Sequence, residues 1–300
     1  MDKLIAVLII TLMRLSALLP LGSARRLGRL LMRLLWPVGG RSRKVTELNI
    51  KRAFPELSAD EQARLAKRSM IATGELAAEM GHVWLRPWAW LEQHISRVVG
   101  AELVIDAQEK GRGVIVLGPH LGNWEVLGLQ LGSMGPTVSL YEPPAIEGLG
   151  KMIETARQRS GAVLVPTDSR GLVKLLKSVK AGKISGILPD QVPPDINAGH
   201  NVEFMGIPCF TGTLATNMIH RTGALAVFGF AMRVEGGFEV HYLPAEDGIY
   251  DADPDIALAA LNRGVEKCVR QCVEQYQWEY KRFKTRPPAD PEFYATLKGL

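Results

Sequence analysis

His120 and Glu125 are the residues of this chain whose types and spacing best suggest chemistry. They stand in Gly118-Pro-His-Leu-Gly-Asn-Trp-Glu125, directly after the apolar run Val114–Leu117. The other histidines, at 82, 94, 200, 220 and 241, have no comparable acid-paired setting. On one unbroken helix, side chains five apart point about 140° away from each other and could not meet. Gly118-Pro119 breaks the strand, however, and Asn123 can cap the helix that follows. That places His120 on the connecting loop and Glu125 in the first helical turn, where the two can converge. A carboxylate holding one imidazole nitrogen as N–H leaves the other as a base. Helix-start N–H groups could stabilise an oxyanion. The plain alternatives are a structural histidine and an asparagine that only caps.

The elements that would position this pair alternate. Strands are expected at 114–117, 137–141, 162–165, 184–188, 224–230 and 238–243. Helices are expected near 123–132, 146–160, 170–180 and 213–221. This pattern predicts an α/β fold with a sheet flanked by helices. Glu235-Gly236-Gly237 signals a hairpin, so the sheet should be mixed. His120 then lies at the carboxyl end of a strand, where open α/β sheets bind ligands. Upstream, residues 58–82 carry helical periodicity, with Ser58 and Glu61 at capping-box spacing. Trp84, Trp88 and Trp90 suit a membrane interface, the underside of a groove or the core. A long helix over about 255–277 should close the domain. Cys268 and Cys272 would share its face as core residues. With Cys209 they form neither a disulfide framework nor a zinc site.

Charge is uneven along the chain. Residues 1–52 hold eleven Lys or Arg against Asp2 and Glu47, a net +9, whereas the remaining 248 residues carry −4. A nucleic-acid binder would spread its basic footprint over the folded domain, so nucleic acid is not an expected partner. The basic residues adjoin the most apolar stretch, Leu4 to Leu21, interrupted by Arg14 and Pro20. That pairing suits anionic lipid at a cytoplasmic leaflet. The stretch is marginal for a span of about 20 residues. Residues 25–36 form an amphipathic helix, arginines on one side and leucines on the other, of the kind that lies in a membrane interface. A cleaved signal peptide and a core helix with a basic face are the competing readings. The organisation expected is an N-terminal membrane anchor with a basic amphipathic helix over 1–40, and one α/β domain over 41–300.

The Gly-Pro-His-x-Gly-Asn-Trp-Glu segment resembles the His-x4-acid motif of glycerolipid-type acyltransferases, and specifically the late acyltransferases of lipid A biosynthesis. Further segments are similar to that family in order along the chain: Glu47–Ser58, Arg157-Gln-Arg-Ser-Gly161, Leu188-Pro-Asp-Gln-Val192, Phe204–Thr211 and Gln277–Pro287. Two positions depart from its pattern. Glu142 stands where Arg is common, and Tyr280 where the closing motif carries His.

The resemblance implies a glycerolipid-acyltransferase-like fold and an O-acyltransferase of the bacterial inner membrane, its catalytic domain facing the cytoplasm. The donor would be an acyl-carrier-protein thioester, and the acceptor a hydroxyl of a lipid A precursor. No cofactor or metal is expected. His120 would take the hydroxyl proton and Glu125 would orient His120. No Gly-x-Ser-x-Gly elbow is present, so a direct ternary-complex transfer is expected. Arg157 and Arg159 are candidates for phosphate or oxyanion binding, since guanidinium grips such groups bidentately. Asp190, which follows a strand as His120 does, could contact the acceptor or support His120 and Arg157. Asn123 completes the candidate substrate contacts. Rival readings are acyl transfer to another membrane glycolipid or a lysophospholipid, a membrane-bound thioesterase or hydrolase, and a non-catalytic membrane binder.

Overall fold

A computed structural model describes residues 2–285 and 293–297. Five helices come first: α1 (Asp2–Leu18), α2 (Leu21–Leu35), α3 (Gly40–Ala53), α4 (Ala59–Leu85) and α5 (Trp88–Glu92). The α/β body follows as β1 (Ile95–Val99), α6 (Glu102–Glu109), β2 (Val114–Leu117), α7 (Trp124–Met134), β3 (Val138–Tyr141), α8 (Glu147–Gln158), β4 (Val163–Pro166), α9 (Ser169–Lys180) and β5 (Ile184–Ile187). It continues as β6 (Gly199–Phe204), β7 (Ile207–Gly212), α10 (Leu214–Thr222), β8 (Leu225–Val234), β9 (Gly237–Pro244) and α11 (Pro254–Val269). Arg286 and Pro287 of the closing motif lie outside the described residues.

The main sheet runs β1-β9-β8-β2-β5. It is mixed, as expected: β8 and β9 are antiparallel through the Glu235-Gly236 turn, and the other pairs are parallel. The parallel pair β3–β4 joins its edge through a single bridge between Thr137 and Ile184. Strand β2 shows why the centre reads as an unbroken apolar run. All four of its residues are buried, Ile115 and Leu117 in one core and Val114 and Val116 in the other. A strand covered on both faces has no polar positions to alternate with.

Three parts of the sequence reading need revision. The last helix ends at Val269, well before residue 277. The chain must turn there so that Tyr276 can bridge to Leu121. Cys272 therefore lies past the helix, although all three cysteines are buried. Strand β1 and the β6–β7 hairpin were not foreseen. Strand β1 is an exposed edge with an irregular register, so it lacks an apolar period. Finally, among the described residues no helix is long and apolar enough to cross a membrane, so the expected anchor has no spanning helix behind it. The apolar stretch breaks at Leu19-Pro20 into two helices.

Those helices pack onto the body. Ala6 of α1 sits against Leu149 and Ile153 of α8. Helix α2 crosses α4 so closely that a Cβ on Gly28 would lie 2.3 Å from the Gly74 carbonyl oxygen. Helix α4 begins with the anticipated capping box at Ser58 and Glu61. The three tryptophans are half-buried against the second core, beside Leu91 and Val104.

Candidate active site

The parallel register of β2 and β5 builds the site. Leu117 pairs with Ile187, and the loops that follow carry His120 and Asp190 three residues further on. Both loops therefore emerge side by side at the carboxyl edge of the sheet. His120 Nδ1 lies 2.8 Å from Asp190 Oδ1, and the His120 backbone N–H donates to Asp190 Oδ2 at 2.9 Å. The Asp190 side chain is 3% exposed and the imidazole 13%, so the carboxylate is sealed while the ring keeps an opening. Burial pushes the Asp190 carboxyl up, but the His120 charge and the two His120 hydrogen bonds outweigh it and hold the group below its ordinary value. A carboxylate on Nδ1 selects the tautomer whose Nε2 is free to accept a proton. Gln191 Nε2 stands 3.2 Å from that nitrogen.

The carboxylate in contact with His120 is thus Asp190, not the expected Glu125. Glu125 sits in the first turn of α7, as expected, but its partner is Arg157 from the last turn of α8. The pair is bidentate: Arg157 Nε donates to Oε2 at 2.9 Å and Nη2 to Oε1 at 2.6 Å. Burial pushes Arg157 down, yet the Glu125 hydrogen bond and charge more than restore it, leaving it above its ordinary value. The guanidinium also lies over the Tyr141 ring at 5.5 Å.

The other expected contact residues separate. Asn123 caps α7 by accepting from the Val126 N–H, and its amide donates to Glu79 at 3.0 Å. It is fully buried with both ends engaged, which removes it from any substrate surface. Arg159 points away from Arg157, donating to the Val83 carbonyl beside Trp84 and Arg86. Burial lowers its pKa to about 10. Arg282, in the basic closing run, is also internal, donating to Phe210 O and Thr211 Oγ1.

One set of residues escapes sequence reasoning, and a second is visible there only as the closing motif, without its contacts. Glu79, on the buried face of α4, gathers Arg25 at 2.6 Å, Arg233 at 3.6 Å and Asn123, tying α2 and β8 to the loop after His120. An acid amid the apolar spacing of α4 was the available signal. The chain around Tyr276 is the second set. The Gln277 N–H donates to the His120 carbonyl at 3.0 Å, and the Tyr280 hydroxyl accepts from the Val192 N–H at 2.9 Å. Tyr280 therefore braces the loop that carries Asp190. Gly122 fixes the other side: its φ is +63°, and a Cβ there would lie 2.0 Å from the Ala231 carbonyl oxygen.

Beside this polar edge runs an apolar slot. Trp124, Leu127, Gly128 and Leu131 of α7 form one wall, and Leu140, Leu164 and Ile187 of the strands help form the other. Its cavity volume is about 100 Å³, and Glu125 and Arg157 stand in its lining. Trp124 joins the two features, since its ring meets His120 edge-on at 4.9 Å. An imidazole set against a residue that lines an apolar slot can act on a hydroxyl while an apolar chain lies in the slot. Among the described residues no group of three His, Cys, Asp or Glu is placed to hold a metal ion.

The family model described as bacterial lipid A biosynthesis acyltransferase matches residues 2–285. The chain is similar to a lipid A biosynthesis lauroyltransferase of Escherichia coli (strain K12), 28% identical over 279 residues, covering 89% of this chain and 86% of that one. It is also similar to a lipid A biosynthesis palmitoleoyltransferase of the same organism, 26% identical over 258 residues, covering 85% and 82%. A lipid A biosynthesis acyltransferase of Haemophilus influenzae is 24% identical over 256 residues, covering 82% and 77%.

Proposed function

Since this chain belongs to the bacterial lipid A biosynthesis acyltransferase family, we propose that it moves a fatty-acyl chain from an acyl-carrier-protein thioester to a hydroxyl of a lipid A precursor, with His120 as the base. The observation that carries this reading is the His120–Asp190 pair, whose imidazole meets Trp124 of the slot lining. Nε2 takes the acceptor proton as the oxygen attacks the thioester carbonyl. Asp190 holds the ring and stabilises the imidazolium, which then returns its proton to the leaving thiolate. General-base help of this kind contributes about 10²–10⁴-fold. Arg157, gripped by Glu125, keeps N–H donors for the oxygen on which negative charge develops. Glu125 is thus given a role through Arg157.

The N-terminal helices support action at a membrane surface. Leu4, Val7, Leu8, Leu12 and Leu15 of α1 and Leu27, Leu30, Leu31, Leu34 and Leu35 of α2 are all exposed large apolar side chains. Arg26, Arg29 and Arg33 flank them. Such a surface suits the plane of an anionic leaflet better than water. The cytoplasmic face of the inner membrane is the proposed location, where acyl carrier protein would deliver the donor.

The test incubates purified protein with acyl-carrier-protein thioesters and a tetra- or penta-acylated lipid A precursor in mixed micelles, read by mass spectrometry. The proposal expects the acceptor to gain one acyl mass. Acceptor left unchanged with every donor would refute it.

A further inference from the structure

Helix α7 carries two glycines one turn apart, Gly128 and Gly132, although glycine is a poor helix residue. Gly132 has a packing reason. A Cβ there would lie 2.4 Å from Ser160 Oγ and 3.1 Å from the Ala162 nitrogen. Gly128 has no such reason, because a Cβ would meet nothing within 4 Å. Yet Gly128 lines the apolar slot, between the buried Leu127 and Leu129. Gly128 is exposed and shares a face of α7 with Trp124, Glu125 and Leu131, which line the slot with it, so the open space beside it is continuous with the slot.

We infer that Gly128 sets the length of acyl chain that the slot accepts. The inference rests on the acyl-transfer reading above. At the rise of an α-helix, Gly128 lies about 4.5 Å along α7 from Glu125, and Leu131 about 9 Å. Glu125 and Arg157 supply charged groups to the slot lining, and the lining residue Leu131 lies beyond Gly128 along α7. A side chain at position 128 would project into the slot partway along it. The hydrocarbon beyond that point would lose its place, while the portion nearer Glu125 would keep it.

The experiment measures binding of S-acyl pantetheine thioesters of graded length to the full chain by calorimetry, alongside transfer to the lipid A precursor. Each methylene that enters the slot adds about fourfold in affinity, so wild-type affinity should climb with chain length and then level off. Gly128→Met should level off about two or more methylenes earlier, judged on that same fourfold step. Gly128→Ala should give a smaller shift in the same direction. Gln130→Met, on the same helix but outside the slot lining, should keep the wild-type profile. Circular dichroism confirms that each variant is folded, and Gly128→Ala serves if Gly128→Met is not. An unchanged plateau in the folded position-128 variants overturns the inference, as does an equal shift in Gln130→Met or wild-type affinity that ignores chain length. Length-dependent binding with no transfer to the precursor would instead defeat the acyl-transfer reading and leave the slot assignment standing.

Discussion

His120 and Asp190 are joined twice, ring to carboxylate at 2.8 Å and backbone N–H to the same carboxylate at 2.9 Å. Their separation of 70 residues equals the register offset between β2 and β5, in which Leu117 faces Ile187. The contact is therefore a direct product of strand pairing. Two loops of equal length leave two adjacent parallel strands in step.

The Glu125–Arg157 pair should be coupled in both stability and activity. Glu125 is 3% exposed and Arg157 35%, so the pair is only partly shielded. Removing one partner of a fully buried pair costs about 3–5 kcal/mol, and partial exposure reduces that to about 1–3. Arg157→Lys keeps the charge but loses the bidentate fork, and should lower activity by about tenfold or more. A double-mutant cycle with Glu125→Gln, followed by urea unfolding and by transfer rate, checks this. Additive effects would show that the two side chains act independently.

His82 should make stability fall on mild acidification. Its Nε2 lies 2.8 Å from the Leu19 carbonyl, and Nδ1 is buried with no hydrogen-bond partner. Burial is the main cause that holds this histidine below its ordinary value. A depressed histidine means that the unfolded chain binds the extra proton first. The stabilisation is complete above the unfolded value of about 6.5 and is lost as pH falls from there toward the folded value. Denaturant midpoints measured downward from neutrality should decline in the wild type and decline less in His82→Gln. Identical slopes would contradict this account of the α1–α4 junction.

Vesicle binding should depend on the exposed leucines of α2. Burying one leucine side chain contributes about 1.5–3 kcal/mol, so Leu30→Ser with Leu34→Ser should weaken binding by more than tenfold. Co-sedimentation with vesicles containing anionic lipid, at low and high salt, separates the apolar contribution from that of the arginines. Unchanged binding by the double variant would place the contact elsewhere on the molecule.

Gly128→Ala should stabilise the protein, because nothing blocks the added methyl and helix propensity favours it by about 0.5–1 kcal/mol. Gly132→Ala should destabilise it, with Ser160 Oγ only 2.4 Å from the added carbon. Thermal unfolding of the two variants gives opposite signs if α7 packs as described.

Much of this arrangement was legible in the sequence. The strand into Gly118-Pro119, the Asn123 cap and the placement of Glu125 in the first helical turn all followed from local rules, and the structure has them. Asp190 was legible as a residue after a strand, and support of His120 was one of its two readings. Its partner could not be fixed, because sequence gives strands but not which strands are neighbours. The strand break and helix cap let Glu125 converge on His120, but they do not reveal that Arg157 reaches it from the far end of α8. Asn123 was read from its type, and only the α4 packing reveals that Glu79 has claimed its amide. Edge strand β1 and hairpin β6–β7 were missed because their pairing is not announced by an apolar period.

The most direct test of the central claim is the acyl-transfer rate of Asp190→Asn, set beside His120→Ala and a folding check by circular dichroism. If Asp190 holds His120 as the working base, kcat falls by about 10²–10⁴-fold in both variants while KM for the acceptor changes little. A folded Asp190→Asn protein that transfers acyl chains at the wild-type rate would contradict the account.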